Sequence, residues 1–219
     1  MDFYEIKERA LKSGTTEVRP AWRVQRFKDL MVRGKSFYAV YNPETHFWST
    51  DEYDLVRIVD ADVARQFQEA SERIDGAVWP RYLGDYDSKT YTDYKSWMSK
   101  LPDSHKPLDS KILFANQIPR REDYVTGTLS YSLSDNACPA YEELMSTLYN
   151  PEEREKLEWA IGSIFTGDSA WIQKFFVLYG SSGSGKSTVL NLLSRLLEDH
   201  ITHLRASSRH LSLSLSRSM

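Results

Sequence analysis

The chain has little cysteine: Cys138 is its only one among 219 residues. A single thiol cannot form an internal disulfide, and the paired cysteines of a structural zinc site are absent from the sequence. This scarcity is typical of proteins that work in a reducing compartment. We therefore expect a cytoplasmic protein without structural disulfides or zinc.

The sequence also has no long apolar run. Its longest, such as 175–179, fall far below the roughly 18 to 20 residues that cross a bilayer. The first ten residues, MDFYEIKERA, carry charges where a signal peptide would be apolar. We expect neither a membrane span nor a membrane partner.

A large charge of one sign is missing as well. Lys plus Arg number 28 and Asp plus Glu number 31, so the net charge is -3, and any surface that attracts nucleic acid must be local. Hydrophobic residues make up 41% and charged residues 27%, which is typical of a soluble globular protein.

One local basic segment exists, from Arg19 to Lys35, with six cations and one acid. One interpretation is a solvated face, balanced by the acidic stretch 44–75 that follows it. The other is a platform for single-stranded DNA, in which the cations lie beside three aromatic residues, Tyr38, Tyr41 and Trp48.

Hydrophobic periodicity predicts the elements of the first 136 residues. Residues 2–13 favour a short helix that stops at Gly14, and aromatic residues on both sides of the turn at 42–45 favour a β-hairpin. A helix is expected over 51–74, with Asp51 as its N-cap, and a shorter one over 91–101. The segment 111–116, KILFAN, favours a strand.

The pattern becomes helical after a boundary near Asn136. Tyr141, Leu144, Met145 and Leu148 share one helix face. The run 150–153, Asn-Pro-Glu-Glu, then combines a capping residue, a first-turn proline and acids at the positive end of a helix. A second helix is therefore expected from residue 151 to about residue 166.

The most informative pattern follows at residue 175. Residues 175–179 (FFVLY) favour a strand buried on both faces of a parallel sheet, and residues 189–197 favour a helix. Between them, Gly180, Gly185, Lys186 and Ser187 fit the pattern G-x-x-x-x-G-K-[ST] of a phosphate-binding loop. The candidate binding residues are Gly180, Ser181, Ser182, Gly183, Ser184, Gly185, Lys186, Ser187 and Thr188.

This loop type assigns chemistry to particular residues. Its glycines let backbone N–H groups turn toward phosphate oxygens, and the following helix adds its positive end. Lys186, the candidate catalytic residue, is expected to contact the β- and γ-phosphates of ATP, and the Ser187 hydroxyl to bind Mg²⁺.

The stretch from Cys138 to Thr188 resembles phage and plasmid primase-helicases of helicase superfamily 3. The residues that carry the resemblance include CPAYEEL (138–144), WAIG (159–162), TGD (166–168), KFFVLYG (174–180) and GKST (185–188). It is weaker over 110–137 and loose over the hairpin. In that family a helical linker domain precedes the helicase core.

The resemblance implies an ATP-dependent DNA helicase that works as a homo-oligomeric ring on single-stranded or forked DNA during phage or plasmid replication. It also implies a bacterial cytoplasm as the location, with a phage or prophage origin. Only the loop residues of this sequence carry over as functional. The acidic Mg²⁺ and hydrolysis motif of the family (Walker B), its sensor and its arginine finger have no counterpart here, and neither do primase carboxylates.

This departure leaves alternatives open. We expect a chain that stops before its catalytic domain is complete and does not turn over ATP alone. Residues 201–219, which contain no acid and alternate Leu with Ser, form either a tail out of the ancestral reading frame or a short strand that pairs with a partner. The chain could instead be a non-hydrolysing single-stranded DNA or partner-binding module, an inactive prophage remnant, or a small-molecule kinase.

The expected fold class is α+β, in four parts. Residues 1–110 form a mixed region with a β-hairpin, and 111–168 a strand-rich segment followed by the helical pre-helicase domain. Residues 169–200 supply the first strand, loop and helix of an α/β P-loop NTPase core, and 201–219 an atypical tail.

Overall fold

The computed structural model describes residues 1–25, 27–197 and 200, and its chain divides into two compact units. Unit 1 contains residues 1–136 and 157–174, and unit 2 contains residues 137–156 and 175 onward. The expectations for the tail at 201–219 and for Arg26 fall outside the described residues. Within the described ranges, no helix combines the length and the apolar character needed to cross a membrane.

The first sheet of unit 1 has three strands, β1 (Tyr4–Ala10), β2 (Thr16–Trp22) and β6 (Val78–Pro80), in the order β1-β2-β6. β1 and β2 are antiparallel, and β2 and β6 are parallel. The helix predicted over 2–13 is wrong. Gly14 (φ 81°) does not end a helix but closes the β1–β2 hairpin, in which the Leu11 N–H donates to the Thr15 carbonyl at 2.8 Å.

The second sheet contains β3 (Leu30–Arg33), β4 (Ser36–Tyr41) and β5 (Trp48–Ser49), in the order β3-β4-β5. The predicted hairpin is confirmed as the antiparallel pair β4 and β5. Its turn is held by Asn42, whose side-chain oxygen accepts a hydrogen bond from the Glu44 N–H at 2.9 Å. Such bonding from Asn to the following backbone is a common way to close a turn.

Helix α1 (Glu52–Arg73) packs against both sheets, and α2 (Lys89–Met98) packs against β2. Both predicted helices are confirmed. Asp51 caps α1 by accepting a hydrogen bond from the Tyr53 N–H at 2.8 Å. The buried face of α1 consists of Leu55, Val56, Val59, Val63 and Ala70, at helical spacing.

Aromatic side chains fill the core between α2 and the first sheet. The rings of Trp22 and Trp97 are stacked with their centroids 5.0 Å apart, and Phe3 stacks on Trp97 at 6.3 Å. Polar atoms in this cluster are paired: the Trp97 Nε1 donates to the Arg23 carbonyl at 2.6 Å, and the Tyr94 hydroxyl donates to Glu52 at 2.7 Å. Much of the aromatic content of the N-terminal half therefore serves as core.

The strand predicted over 111–116 is wrong. The only regular element between α2 and α3 is the short 3-10 helix Arg121–Asp123. Ile112 and Leu113 are buried, but they lie in irregular chain, where isolated hydrogen bonds replace a strand ladder. One joins the Leu129 N–H to the Leu113 carbonyl at 2.8 Å. The apolar run was therefore a signal of burial and not of strand pairing.

The remaining helices are α3 (Pro139–Leu148), α4 (Pro151–Thr166), the single turn α5 (Ser169–Ile172) and α6 (Lys186–Leu197). The predicted helices after residue 139 are confirmed. The start of α4 follows the expected capping pattern, since Asn150 accepts from the Glu153 N–H at 2.9 Å and Glu153 accepts from the Asn150 N–H at 3.2 Å. The chain thus combines α and β structure.

The hydroxyl of Tyr94 provides a test of the aromatic core. Burial first, and then the Glu52 carboxylate, raise the pKa of Tyr94 above its ordinary value. Because the folded-state pKa is raised, the stabilisation is present below about pH 10 and is lost as the pH rises further. We expect Tyr94→Phe to lower the free energy of unfolding by about 2 kcal/mol at pH 7. The variant should also lose less of its free energy of unfolding when the pH is raised above about 10.

Urea unfolding at pH 7 and at about pH 10.5 measures both effects. Tyr53→Phe is the matched control, since the Tyr53 side chain is 59% exposed and loss of its hydroxyl should leave the unfolding free energy unchanged. Equal effects of the two substitutions would contradict the assigned role of the Tyr94 hydroxyl.

Candidate functional site

The loop at 180–185 wraps around the side chain of the residue that follows it. The Lys186 ammonium donates to the Gly180 carbonyl at 2.8 Å, to the Ser181 carbonyl at 2.6 Å and to the Ser184 hydroxyl at 3.0 Å. These three acceptors use all three ammonium protons. The side chain therefore lies inside the curve of its own loop.

Two glycines give the loop its curvature. Gly183 (φ 82°) and Gly185 (φ 80°) both lie in the left-handed region, which costs any residue with a Cβ about 1 to 2 kcal/mol. Between them the chain turns sharply, and the Ser184 N–H donates to the Ser181 carbonyl at 3.4 Å. Ser182 lies at the exposed outer turn.

The first turn of α6 presents free hydrogen-bond donors. The N–H groups of Lys186, Ser187 and Thr188 have no acceptor among the described residues, and the first backbone bond at this end runs from Val189 to the Gly185 carbonyl at 3.1 Å. The Ser187 hydroxyl likewise has no partner in the described part of the chain and is exposed. Free donors at the positive end of a twelve-residue helix attract anions.

Helix α3 braces the loop from the side. The methyl groups of Leu148 lie against Gly185, and a Cβ at residue 185 would overlap them. The α3–α4 corner that carries Leu148 is itself tied, since Arg154 donates to both oxygens of Glu142 at 2.8 and 3.0 Å. Sequence reasoning placed Leu148 on a helix face but missed this contact, because no local pattern links residues 148 and 185.

The strand predicted to precede the loop is not formed. Residues 173–180 have no regular secondary structure, and they make no backbone-to-backbone hydrogen bond with another described residue. Phe175 is 89% exposed and Tyr179 is 97% exposed, so the expected burial on both sheet faces is also wrong. The run has the composition of a core strand, but the described residues supply no neighbouring strand for it.

The basic segment is dispersed in the structure. Arg19 pairs with Asp93 at 3.4 Å, Arg23 pairs with Glu5 at 3.6 Å, and the Arg33 guanidinium lies 6.0 Å from the centre of the Tyr38 ring. Trp48, expected as a stacking surface, is only 2% exposed. Arg19 and Arg23 are therefore paired with acids, and Trp48 has no exposed face on which a base could stack.

One further observation limits the chemistry of the site. Among the described residues, no group of His, Cys, Asp and Glu side chains is arranged to hold a metal ion. The Ser187 hydroxyl is thus the one protein oxygen that the loop pattern assigns to Mg²⁺.

Comparison of the chain with protein-family models, with curated proteins and with solved structures gave no match.

The contact between Gly185 and Leu148 can be tested against the open position Gly183. An added Cβ at Gly183 meets no atom within 4 Å, so Gly183→Ala should cost only the backbone strain, about 1 kcal/mol. Gly185→Ala should lower the local opening free energy of α6 by more than Gly183→Ala does, because its Cβ also overlaps Leu148. A double-mutant cycle with Leu148→Ala should remove that excess.

Hydrogen exchange of the α6 amides measures the local opening free energy in each variant. Equal costs at the two glycines, or an excess that persists with Leu148→Ala, would show that α3 does not brace the loop.

Proposed function

We propose that this chain is the ATP-binding part of a phage- or plasmid-type replicative DNA helicase. In this proposal the loop at 180–188 holds the phosphates of ATP, and Mg-ATP drives DNA unwinding in the intact protein. One observation carries the proposal: a lysine lies inside the loop, and three N–H groups without acceptors lie beside it at the start of α6.

The loop residues fit a polyphosphate chemically. Lys186 is the only cation inside the loop, and phosphate oxygens would be better acceptors for its ammonium than the two carbonyls that now hold it. The N–H groups of Lys186, Ser187 and Thr188 would donate to the same oxygens, and the glycines leave room for close approach.

Magnesium fits the site less completely. Mg²⁺ usually keeps several waters and is bound by one or two protein oxygens together with substrate phosphates. The exposed hydroxyl of Ser187 would supply one such oxygen. The carboxylate that a helicase of this class uses for Mg²⁺ and hydrolysis has no counterpart here, so our proposal for this chain is binding and not turnover.

The wider parts of the proposal rest on the sequence resemblance over 138–188. They are a DNA partner, single-stranded or forked, a ring of identical subunits in the intact protein, and a location in the cytoplasm of a bacterial host. The helices α3 and α4 support it in one respect, because the helical segment expected ahead of the loop is present.

A calorimetric titration of the full chain with Mg-ATP tests the proposal. Lys186→Ala removes the loop cation, and we expect it to weaken Mg-ATP binding by about tenfold to a hundredfold, the value of one or two charge-assisted hydrogen bonds. Lys174→Ala is the matched control: it makes the same charge change at an exposed residue outside the loop and should leave the affinity unchanged.

Three results would count against the proposal: no binding by the unsubstituted chain, unchanged affinity in Lys186→Ala, or equal losses in the two variants. A thermal melt of each variant without nucleotide checks that the variant is folded. This control is needed because the nucleotide is expected to bind only the folded form.

A further inference from the structure

A second candidate site lies in unit 1, far along the sequence from the loop at 180–188. It is a cavity of about 340 Å³, a volume within the range of small-ligand pockets. Three separate segments line it: residues 27–31, which lead into β3, the strand β5, and residues within 104–124. The lining residues that matter for its chemistry are Phe27, Lys28, Trp48, Lys106, Arg121 and Tyr124.

The lining of this cavity is cationic. Lys28, Lys106 and Arg121 line it together with Glu122, and Arg121 is balanced by Glu122 and by Asp29, so the excess positive charge comes from the two lysines. A cluster of positive charge in a concave site raises the local concentration of anions. The cavity is therefore the place in unit 1 where cations of distant segments converge.

The two lysines are free to bind a ligand. The ammonium groups of Lys28 and Lys106 have no ion pair or hydrogen bond with any described residue. Their backbones are fixed, because the Lys28 N–H donates to Asp2 at 2.6 Å and the Lys106 N–H donates to the Met31 sulfur at 3.1 Å. Arg121 differs, since it already pairs with Asp29 at 2.9 Å and with Glu122 at 3.1 Å.

Aromatic rings also line the cavity. Tyr124 and Phe27 are partly buried, and the Tyr124 ring lies 5.7 Å from the ring of Trp48. Trp48 is itself fixed, because its Nε1 donates to the Arg121 carbonyl at 2.8 Å. Tyr124 ends the 3-10 helix Arg121–Asp123 in a left-handed conformation (φ 51°), a common way for a helix to close.

We propose that this cavity binds a phosphate group carried by a nucleotide, with Lys28 and Lys106 contacting the phosphate and the rings of Phe27 and Tyr124 contacting the base. Lysine ammonium groups are suited to phosphate, and aromatic faces accept any base without regard to sequence. The same chemistry is present in a free mononucleotide and in one unit of a single strand. The site is independent of the function proposed for Lys186.

Fluorescence anisotropy with a labelled twelve-residue thymidine oligonucleotide tests the proposal, with thymidine monophosphate as a competitor. We expect Lys28→Ala/Lys106→Ala to weaken oligonucleotide binding at least about tenfold. The slope of log affinity against log salt should fall by about 1.4, because each contact with a single-strand phosphate contributes about 0.7. Lys186→Ala should leave this binding unchanged.

Lys12→Ala/Lys100→Ala is the matched control, because it removes the same charge at two exposed residues outside the cavity and should change affinity less than about twofold. If the monophosphate competes with a dissociation constant similar to that of the oligonucleotide, the cavity is a mononucleotide site. Tighter binding of the oligonucleotide identifies a strand site. The proposal is overturned if neither probe binds, or if the control pair loses as much affinity as the lysine pair.

Discussion

The ammonium group of Lys186 holds the loop that precedes it in shape. It reaches back to the carbonyls of Gly180 and Ser181, and this is possible only because Gly183 and Gly185 turn the chain through left-handed conformations. The N–H groups of the first three residues of α6 have no acceptor among the described residues. The curved loop, the positive charge inside it and the free donors of α6 thus lie next to each other in the sequence and in the structure.

The loop keeps this shape although the strand expected before it is absent. Phosphate-binding loops usually connect a buried parallel strand to a helix, and here residues 175–179 are irregular and largely exposed. The bracing comes from the other side of unit 2, where Leu148 of α3 packs against Gly185. Lateral packing against a helix corner, held by Arg154 and Glu142, therefore replaces part of the support that a sheet would give.

Short-range signals were readable in the sequence, and long-range ones were not. The Asp51 cap, the Asn42 turn and the start of α4 depend on residues within four positions of each other, and all three were predicted. Residues 4–10 were assigned to a helix because their pairing with β2 leaves no local trace. The loop residues were found from their spacing, but the cavity beside Lys28 was not, since its lining comes from distant segments.

Backbone amide NMR of the full chain during an Mg-ATP titration tests the central claim most directly. The account predicts that the largest shift changes fall on the amides of residues 182–188, because their N–H groups exchange water or loop contacts for phosphate oxygens. Shift changes that leave these amides unaffected at saturating nucleotide would contradict the assignment of the loop as the phosphate-binding site.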